Sequence, residues 1–360
     1  MNVLHLQLSG RIGGIVGLCR DINRYSENEN HMFFLFEGGI VADEIAADGG
    51  HVFVSYSHRF LFIKSLFVFI NYCKTHNIDV VISHADGPII WVHFIIATYI
   101  LKDVKFILYE HADIIDMFST GIKGRIAKAL LKMAYRSSDS VIAISEYVKK
   151  RNREVLGVGC SKVVVNYNGI DCDKFKVDAY QQHNIFNIIY VGRIFEKKGV
   201  HVLIDALTLL PAEIEFVCNI LGDGPDFDKN VNKAKEIGLS DKVIFHGARR
   251  DVSNWLEQSD LFVHPATWEE GFGITIIESM CSGVPCIAFN KGAMPELIKN
   301  DVNGFLIENT SPEELAKKII SCYKLYKQGN YNHLRIGARK TGLQFSINTT
   351  INQLEKQYLS

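Results

Sequence analysis

No apolar run in this chain is long enough to cross a bilayer. The longest, Ile89 to Leu101, is interrupted by His93 and falls short of the roughly 20 residues a spanning helix needs. A buried helix is expected there, and another over the apolar stretch from Phe60 to Cys73, which Lys64 breaks. Neither sign of charge is in excess: the net charge is −1, which removes the global electrostatic case for nucleic acid. The eight cysteines are scattered, with no C-x-x-C pair and no apparent His/Cys ligand cluster, so no structural zinc is expected. The opening residues, Met1-Asn-Val-Leu, carry no basic region of the secretory kind and read as a first strand. Together with the cysteine usage, this predicts a cytoplasmic protein in a reducing compartment. Internal repeats and low-complexity tracts are also missing.

What is present is an ordinary globular composition, 48% hydrophobic and 22% charged over 360 residues, long enough for two cores. Short apolar runs alternate with helical stretches. In the first half the strands are expected at Val3–Leu8, His31–Phe36, Val80–Ser83, Lys105–Tyr109 and Ser140–Ile144, with a helix from Val16 to Tyr25. The pattern restarts at Ile185–Tyr190 and continues through Glu215–Leu221, Lys242–Phe245, Leu261–Val263 and Pro285–Ala288. Strands that are apolar throughout, joined by helices, indicate parallel sheets covered on both faces. The fold class is therefore α/β: two Rossmann-like, doubly wound domains facing a cleft. Residues 1–173 form the first and residues 174–344 the second. The polar stretch Asp178–Asn184 lies near their junction. A C-terminal helix at about 345–360 is expected to pack back on the first domain.

The densest local signal runs from Glu270 to Glu278. Gly271, Phe272 and Gly273 follow the first glutamate, and His264-Pro265 precedes it after an apolar run. This predicts a glycine-rich loop at a strand end, then a helix through Ile274, Thr275 and Glu278. Glu278 should lie about two turns in. Backbone N–H groups at such a start bind phosphate, and the carboxylates can accept hydrogen bonds from hydroxyls. Upstream, Arg193 and Lys198 lie in a loop after a strand, where a chelating guanidinium and a point charge suit a diphosphate. Gly222-Asp223-Gly224-Pro225 closes another strand. In the first half, Gly13 and Gly14 precede a helix and let the backbone approach a phosphate. His111 ends a strand within Tyr109-Glu110-His111.

The order of these pieces resembles the retaining glycosyltransferases of family 4, with the GT-B fold. The likeness is strong from Asn168 to Asn309 and weaker before it. Of the two adjacent glutamates only Glu270 fits the register, because Ile277 stands eight residues after Glu269. The resemblance implies a hexosyltransferase-type enzyme that moves a sugar from a nucleoside diphosphate sugar, a UDP-sugar in preference to a GDP-sugar, to an acceptor hydroxyl. Glu278 would hold the ribose and Glu270 the sugar hydroxyls. Arg193 and Lys198 would stabilise the leaving diphosphate, the loop of Gly13 and Gly14 would face it, and His111 would contact the sugar. A glycan or lipid-linked acceptor is implied, in surface polysaccharide or lipid-linked glycan synthesis. No cofactor and no metal are expected. The strings Asp171-Cys172-Asp173 and Asp226-Phe227-Asp228 are set aside as a linker turn and a helix start.

Other readings stay open: a small soluble acceptor, a non-catalytic sugar-nucleotide-binding subunit, or an epimerase. A dehydrogenase fits less well, because the glycines after the first strand miss the G-x-G-x-x-G spacing. Residues 121–136 form a basic amphipathic stretch with Lys128, Lys132 and Arg136 at four-residue spacing. A peripheral contact with an anionic membrane is expected through it.

Overall fold

The computed structural model describes every residue except 12, 56–61, 85–86, 115–117, 119–120, 160–161, 178–179, 181–182 and 360. The polar stretch 178–184 and the start of the apolar stretch 60–73 thus lie partly outside the described residues. Two compact units are present, Met1–Gly169 with Ile347–Ser360, and Ile170–Ser346. The division falls at Gly169/Ile170, slightly ahead of the 173/174 boundary read from the sequence. Its cause is local: Ile170 forms a parallel bridge with Ser346 and donates its N–H to Phe345, and Cys172 pairs with Cys281 as a disulfide, all within the second unit.

The first unit is a seven-stranded parallel sheet. Its strands are β1 Asn2–Ser9, β2 Glu29–Glu37, β3 His51–Val54, β4 Val80–Ser83, β5 Lys105–Glu110, β6 Ser140–Ala143 and β7 Val163–Val165, in the order β3-β2-β1-β4-β5-β6-β7. The central strands are apolar because helices cover both faces. The helix Pro88–Ile100 is so placed, with Ile90, Trp91, His93 and Phe94 buried. His93 is held there by Ser65 and by the carbonyl of Ile89, each at 2.8 Å. Among the described residues no helix is long and apolar enough to cross a membrane.

The second unit has six parallel strands: β8 Phe186–Val191, β9 Phe216–Leu221, β10 Val243–Phe245, β11 Leu261–His264, β12 Cys286–Phe289 and β13 Gly304–Ile307. Their order is β10-β9-β8-β11-β12-β13. In both sheets the winding reverses at one point, between β1 and β4 and between β8 and β11. At such a switch the loops leaving the two strand ends diverge and open a crevice.

The last helix, Ile347–Leu359, completes the first unit. It buries Ile347, Thr350, Ile351, Leu354 and Tyr358, and Thr350 Oγ1 donates to the carbonyl of Tyr167 at 2.8 Å. Glu355 accepts from Ser26 and Asn28 at 2.9 and 2.7 Å. Truncating the fully buried Leu354 to alanine is expected to cost about 2–5 kcal/mol. Hydrogen exchange should register the loss in β1–β7 and leave β8–β13 protected as before.

Candidate active site

In the second unit the site is built from the loops that leave β8 and β11 at the switch. After β8 the chain passes Gly192 and Arg193 and makes a single turn of 3-10 helix, Glu196–Lys198, before the helix Val200–Thr208. After β11 it runs from Pro265 to Gly273 into the helix Ile274–Cys281. The two loops are laced together, with the N–H of Thr267 donating to Lys197 O at 2.9 Å. Gly199 sits beneath this contact at φ +73°, and a Cβ there would overlap the carbonyl oxygen of Pro265. Glycine is thus required for both conformation and space.

Lys198 and Glu270, read from the sequence as separate site residues, form an ion pair. Lys198 Nζ lies 2.9 and 3.1 Å from the two carboxylate oxygens. The indole N–H of Trp268 donates to Glu270 Oε2 at 2.8 Å, and His264 Nε2 lies 3.6 Å from the same oxygen. Burial alone would raise the carboxyl pKa, but His264 and the ammonium of Lys198 outweigh it and hold it at about 2. The group is therefore ionised at neutral pH. A carboxylate has about four lone-pair sites and an ammonium three N–H donors, so each retains capacity for a ligand. Neither Trp268 nor His264 was assigned a role from sequence, although both fall inside the same short string.

Arg193 is exposed on the β8 loop, its guanidinium over the ring of Phe195. It borders a hollow of ≈ 440 Å³ lined also by Gly192, Gly222, Asp223, Gly224 and Arg249. The N–H of Ile194 donates to Asp223 O at 2.8 Å, fixing the two loops together. The helix Ile274–Cys281 starts without a side-chain cap at Gly273, so its first N–H groups are open to an anion. Phe272 is buried, Gly271, Ile274 and Thr275 half-buried. Glu278 is half-buried and lies one turn from the helix start, not two, because Gly273 is still extended at φ 179°. Glu269 serves the backbone instead, accepting from the N–H of Gly292. Asp171 is likewise occupied locally, accepting from the N–H of Asp173 and pairing with Lys174. Asp226 and Asp228 flank the start of the helix Phe227–Glu236.

In the first unit Gly13 precedes the helix Gly14–Tyr25 with an extended backbone and open space where a Cβ would stand; neighbouring Ile12 lies outside the described residues. His111 follows β5 and stacks on Tyr109 with ring centroids 4.4 Å apart. Its Nε2 contacts Nδ1 of His84 at 2.8 Å, and His84 Nε2 in turn contacts Nδ1 of His5 at 3.0 Å. Cys19 Sγ lies 3.4 Å from His84 Nε2. His5, Cys19 and His84 offer ligand atoms within 4.8 Å of one another. This corrects the expectation of no His/Cys cluster: the residues come from three elements that no spacing rule connects. Burial lowers the pKa of His5 to about 4 and of His111 to about 3, and that of His84 well below its usual value. All three imidazoles are neutral.

The family description for glycosyl transferases group 1 matches residues 173–341, and that for glycosyltransferase family 4 matches residues 16–174. The chain belongs to the family 4 glycosyltransferases. An uncharacterized glycosyltransferase of Methanocaldococcus jannaschii is 27% identical over 277 residues, 77% of this chain and 72% of its own length. A UDP-Gal:alpha-D-GlcNAc-diphosphoundecaprenol alpha-1,3-galactosyltransferase of Escherichia coli is 34% identical over 164 residues, 41% of each chain. Among solved structures, HepE of Anabaena in complex with UDP superposes with a TM-score of 0.85 at 24% identity, covering 99% of both chains. The fold of this glycosyltransferase is thus GT-B.

The ion pair makes stability depend on acid. The Glu270 carboxyl falls from 4.5 to about 2 on folding, so between these values the unfolded chain binds more protons and stability rises with pH. The contribution is complete above about pH 4.5 and is lost as pH falls through about 2. Urea unfolding of the wild type and Glu270→Gln should therefore differ most at neutral pH. The gap should narrow across that window.

Proposed function

We propose that this enzyme transfers a sugar from a nucleoside diphosphate sugar, a UDP-sugar in preference to a GDP-sugar, to a hydroxyl of a glycan or lipid-linked acceptor, with retention of anomeric configuration. The observation that carries this reading is the convergence, at the β8/β11 switch, of Arg193, an uncapped helix start and the ionised Glu270–Lys198 pair. The donor preference draws support from the UDP in HepE and from the donor named for the Escherichia coli relative. The latter's lipid-linked acceptor supports the acceptor class.

In this reading the bond between the anomeric carbon and the phosphate oxygen breaks, and the diphosphate leaves with the electron pair. Arg193, Lys198 and the N–H groups of Gly273, Ile274 and Thr275 meet that charge in a site already organised for it. Glu270 accepts from sugar hydroxyls and Glu278 from ribose; Gly13, Gly14 and His111 keep the roles that the family resemblance implies for them. The acceptor oxygen bonds the anomeric carbon from the face the diphosphate leaves, and its proton passes to a diphosphate oxygen. Two cationic side chains supply the neutralising charge, so no metal is required.

Three outcomes test this. UDP-sugars should raise the melting temperature in a thermal-shift panel of nucleotide sugars, and transfer should persist in EDTA. Arg193→Ala should weaken UDP more than uridine, by about 1.5–3 kcal/mol for a charged hydrogen bond; equal losses on both would remove Arg193 from the diphosphate site.

The reading includes a peripheral contact with the cytoplasmic face of the membrane. The helix Ile122–Ser137 exposes Ile122, Ile126 and Met133 along one side, with Arg125 and Arg136 exposed beside them and Lys128 exposed further round the helix. Lys132 is partly engaged, 3.4 Å from the carbonyl of Gly157. An apolar stripe flanked by cations suits an anionic lipid surface. Each cation near such a surface contributes about 1 kcal/mol. Lys128→Gln with Arg136→Gln should therefore release the protein from phosphatidylserine vesicles at low salt. A wild type that never sediments with them would remove the membrane from the reading.

A further inference from the structure

The contacts behind His111 form one continuous hydrogen-bonded line across four neighbouring strands, β2, β1, β4 and β5. Its origin is Asn30. The Asn30 Nδ2 group donates to the carbonyl of Asn28 at 2.9 Å, so the amide oxygen must face the other way, toward His5 Nε2 at 3.1 Å. An amide oxygen only accepts. His5 therefore carries its proton on Nε2, and its Nδ1 is bare. That nitrogen lies 3.0 Å from His84 Nε2, which must then be the donor, leaving His84 Nδ1 bare. His111 Nε2, 2.8 Å from it, must donate in turn. The Nδ1 of His111 is left as a lone pair, and it is buried with no hydrogen-bond partner.

We propose that Asn30, His5 and His84 are positioning residues that lock His111 in its Nε2–H tautomer and so fix its ring for the role assigned to it above. The role at the sugar rests on the function proposed above; the tautomer does not. The low pKa values of the three rings are consistent with it, since a proton added anywhere would break the order of donors and acceptors. His5 and His84 are fully buried, so water does not compete for the line. Cys19 Sγ is only a weak acceptor for the His84 N–H. A metal on His5, Cys19 and His84 would need both His5 Nδ1 and His84 Nε2 bare, which would reverse the line and put the His111 proton on Nδ1. Those three ligands are one short of a closed tetrahedral site.

NMR of the ligand-free wild type, labelled with nitrogen-15 histidine, reads which ring nitrogen carries the proton. Single His→Gln variants assign the signals. The expected result is a protonated Nε2 and a bare Nδ1 at all three residues. A proton on His111 Nδ1, or stoichiometric metal in elemental analysis with shifted His5 and His84 nitrogens, would overturn the proposal without requiring any variant to fold. The second arm compares His84→Gln, whose amide can accept and donate in the same sense, with His84→Leu, which cuts the line. His84→Leu should lose about tenfold or more in kcat/KM for the sugar donor, the scale of one hydrogen bond. The glutamine variant should recover much of it. UDP affinity should be unchanged in both, and hydrogen exchange across β1–β7 should match the wild type, which reports that the first unit folds. Full turnover in His84→Leu would overturn the positioning role. Absence of transfer by the wild type from every nucleoside diphosphate sugar would overturn the functional reading and with it the role of His111, whatever the tautomer.

Discussion

The second unit is organised around one half-buried ion pair. Glu270 and Lys198 are each about 17% exposed at the side chain, and a carboxylate so placed is tolerable only beside its cation. Because the partners come from different loops, their attraction fixes the loop after β8 against the loop after β11. The neighbouring features follow from it. Gly199 must be glycine because the loops touch at backbone distance, and Gly292, at φ +56°, has no room for a Cβ over the Glu270 backbone. Trp268 lends its N–H to the same carboxylate and its face to Lys197 and Lys198, with ring distances of 5.5 and 5.7 Å. Charge, donors and a helix start are thus assembled before any ligand arrives, which is the condition for electrostatic stabilisation without reorganisation.

The two units answer the same topological problem with different chemistry. Each parallel sheet reverses its winding once and gathers its polar side chains at the reversal. In the second unit the gathered groups are ionic and partly open to solvent. In the first they are neutral imidazoles on and just after the strands themselves, and their ordering comes from hydrogen-bond polarity rather than charge.

Much of the fold was legible in the sequence because central parallel strands are apolar on both faces. β1, β2, β4, β5, β6 and the strands from β8 to β12 all stand within a residue or two of their apolar runs. The strands that escaped, β3, β7 and β13, are three or four residues long and lie at sheet edges, and in β3 and β7 half-exposure removes the contrast. The string from His264 to Glu278 announced its loop and helix, but not that the helix begins only at Ile274. It also could not reveal that Glu270 and Lys198 hold each other, since that contact joins residues on different loops. The imidazole line was invisible for the same reason in stronger form. His5, Asn30, His84 and His111 look like four unrelated polar residues until the strand order sets them side by side. The pairing of Cys172 with Cys281, 109 residues apart, has no local signature either.

The first unit is discontinuous in the chain, its final helix lying beyond the entire second unit. Proteins are made from the N-terminus and their domains generally fold in that order. Here the order is obstructed: the seven strands precede the second unit, yet the helix that covers the carbonyl of Tyr167 and fills its core with Leu354 and Tyr358 is made only after that unit. The second unit, contiguous from Ile170 to Ser346, has all its parts earlier. The sheet translated before the second unit therefore matures after it, and a nascent chain must carry that sheet with one flank uncovered until the second unit has been made.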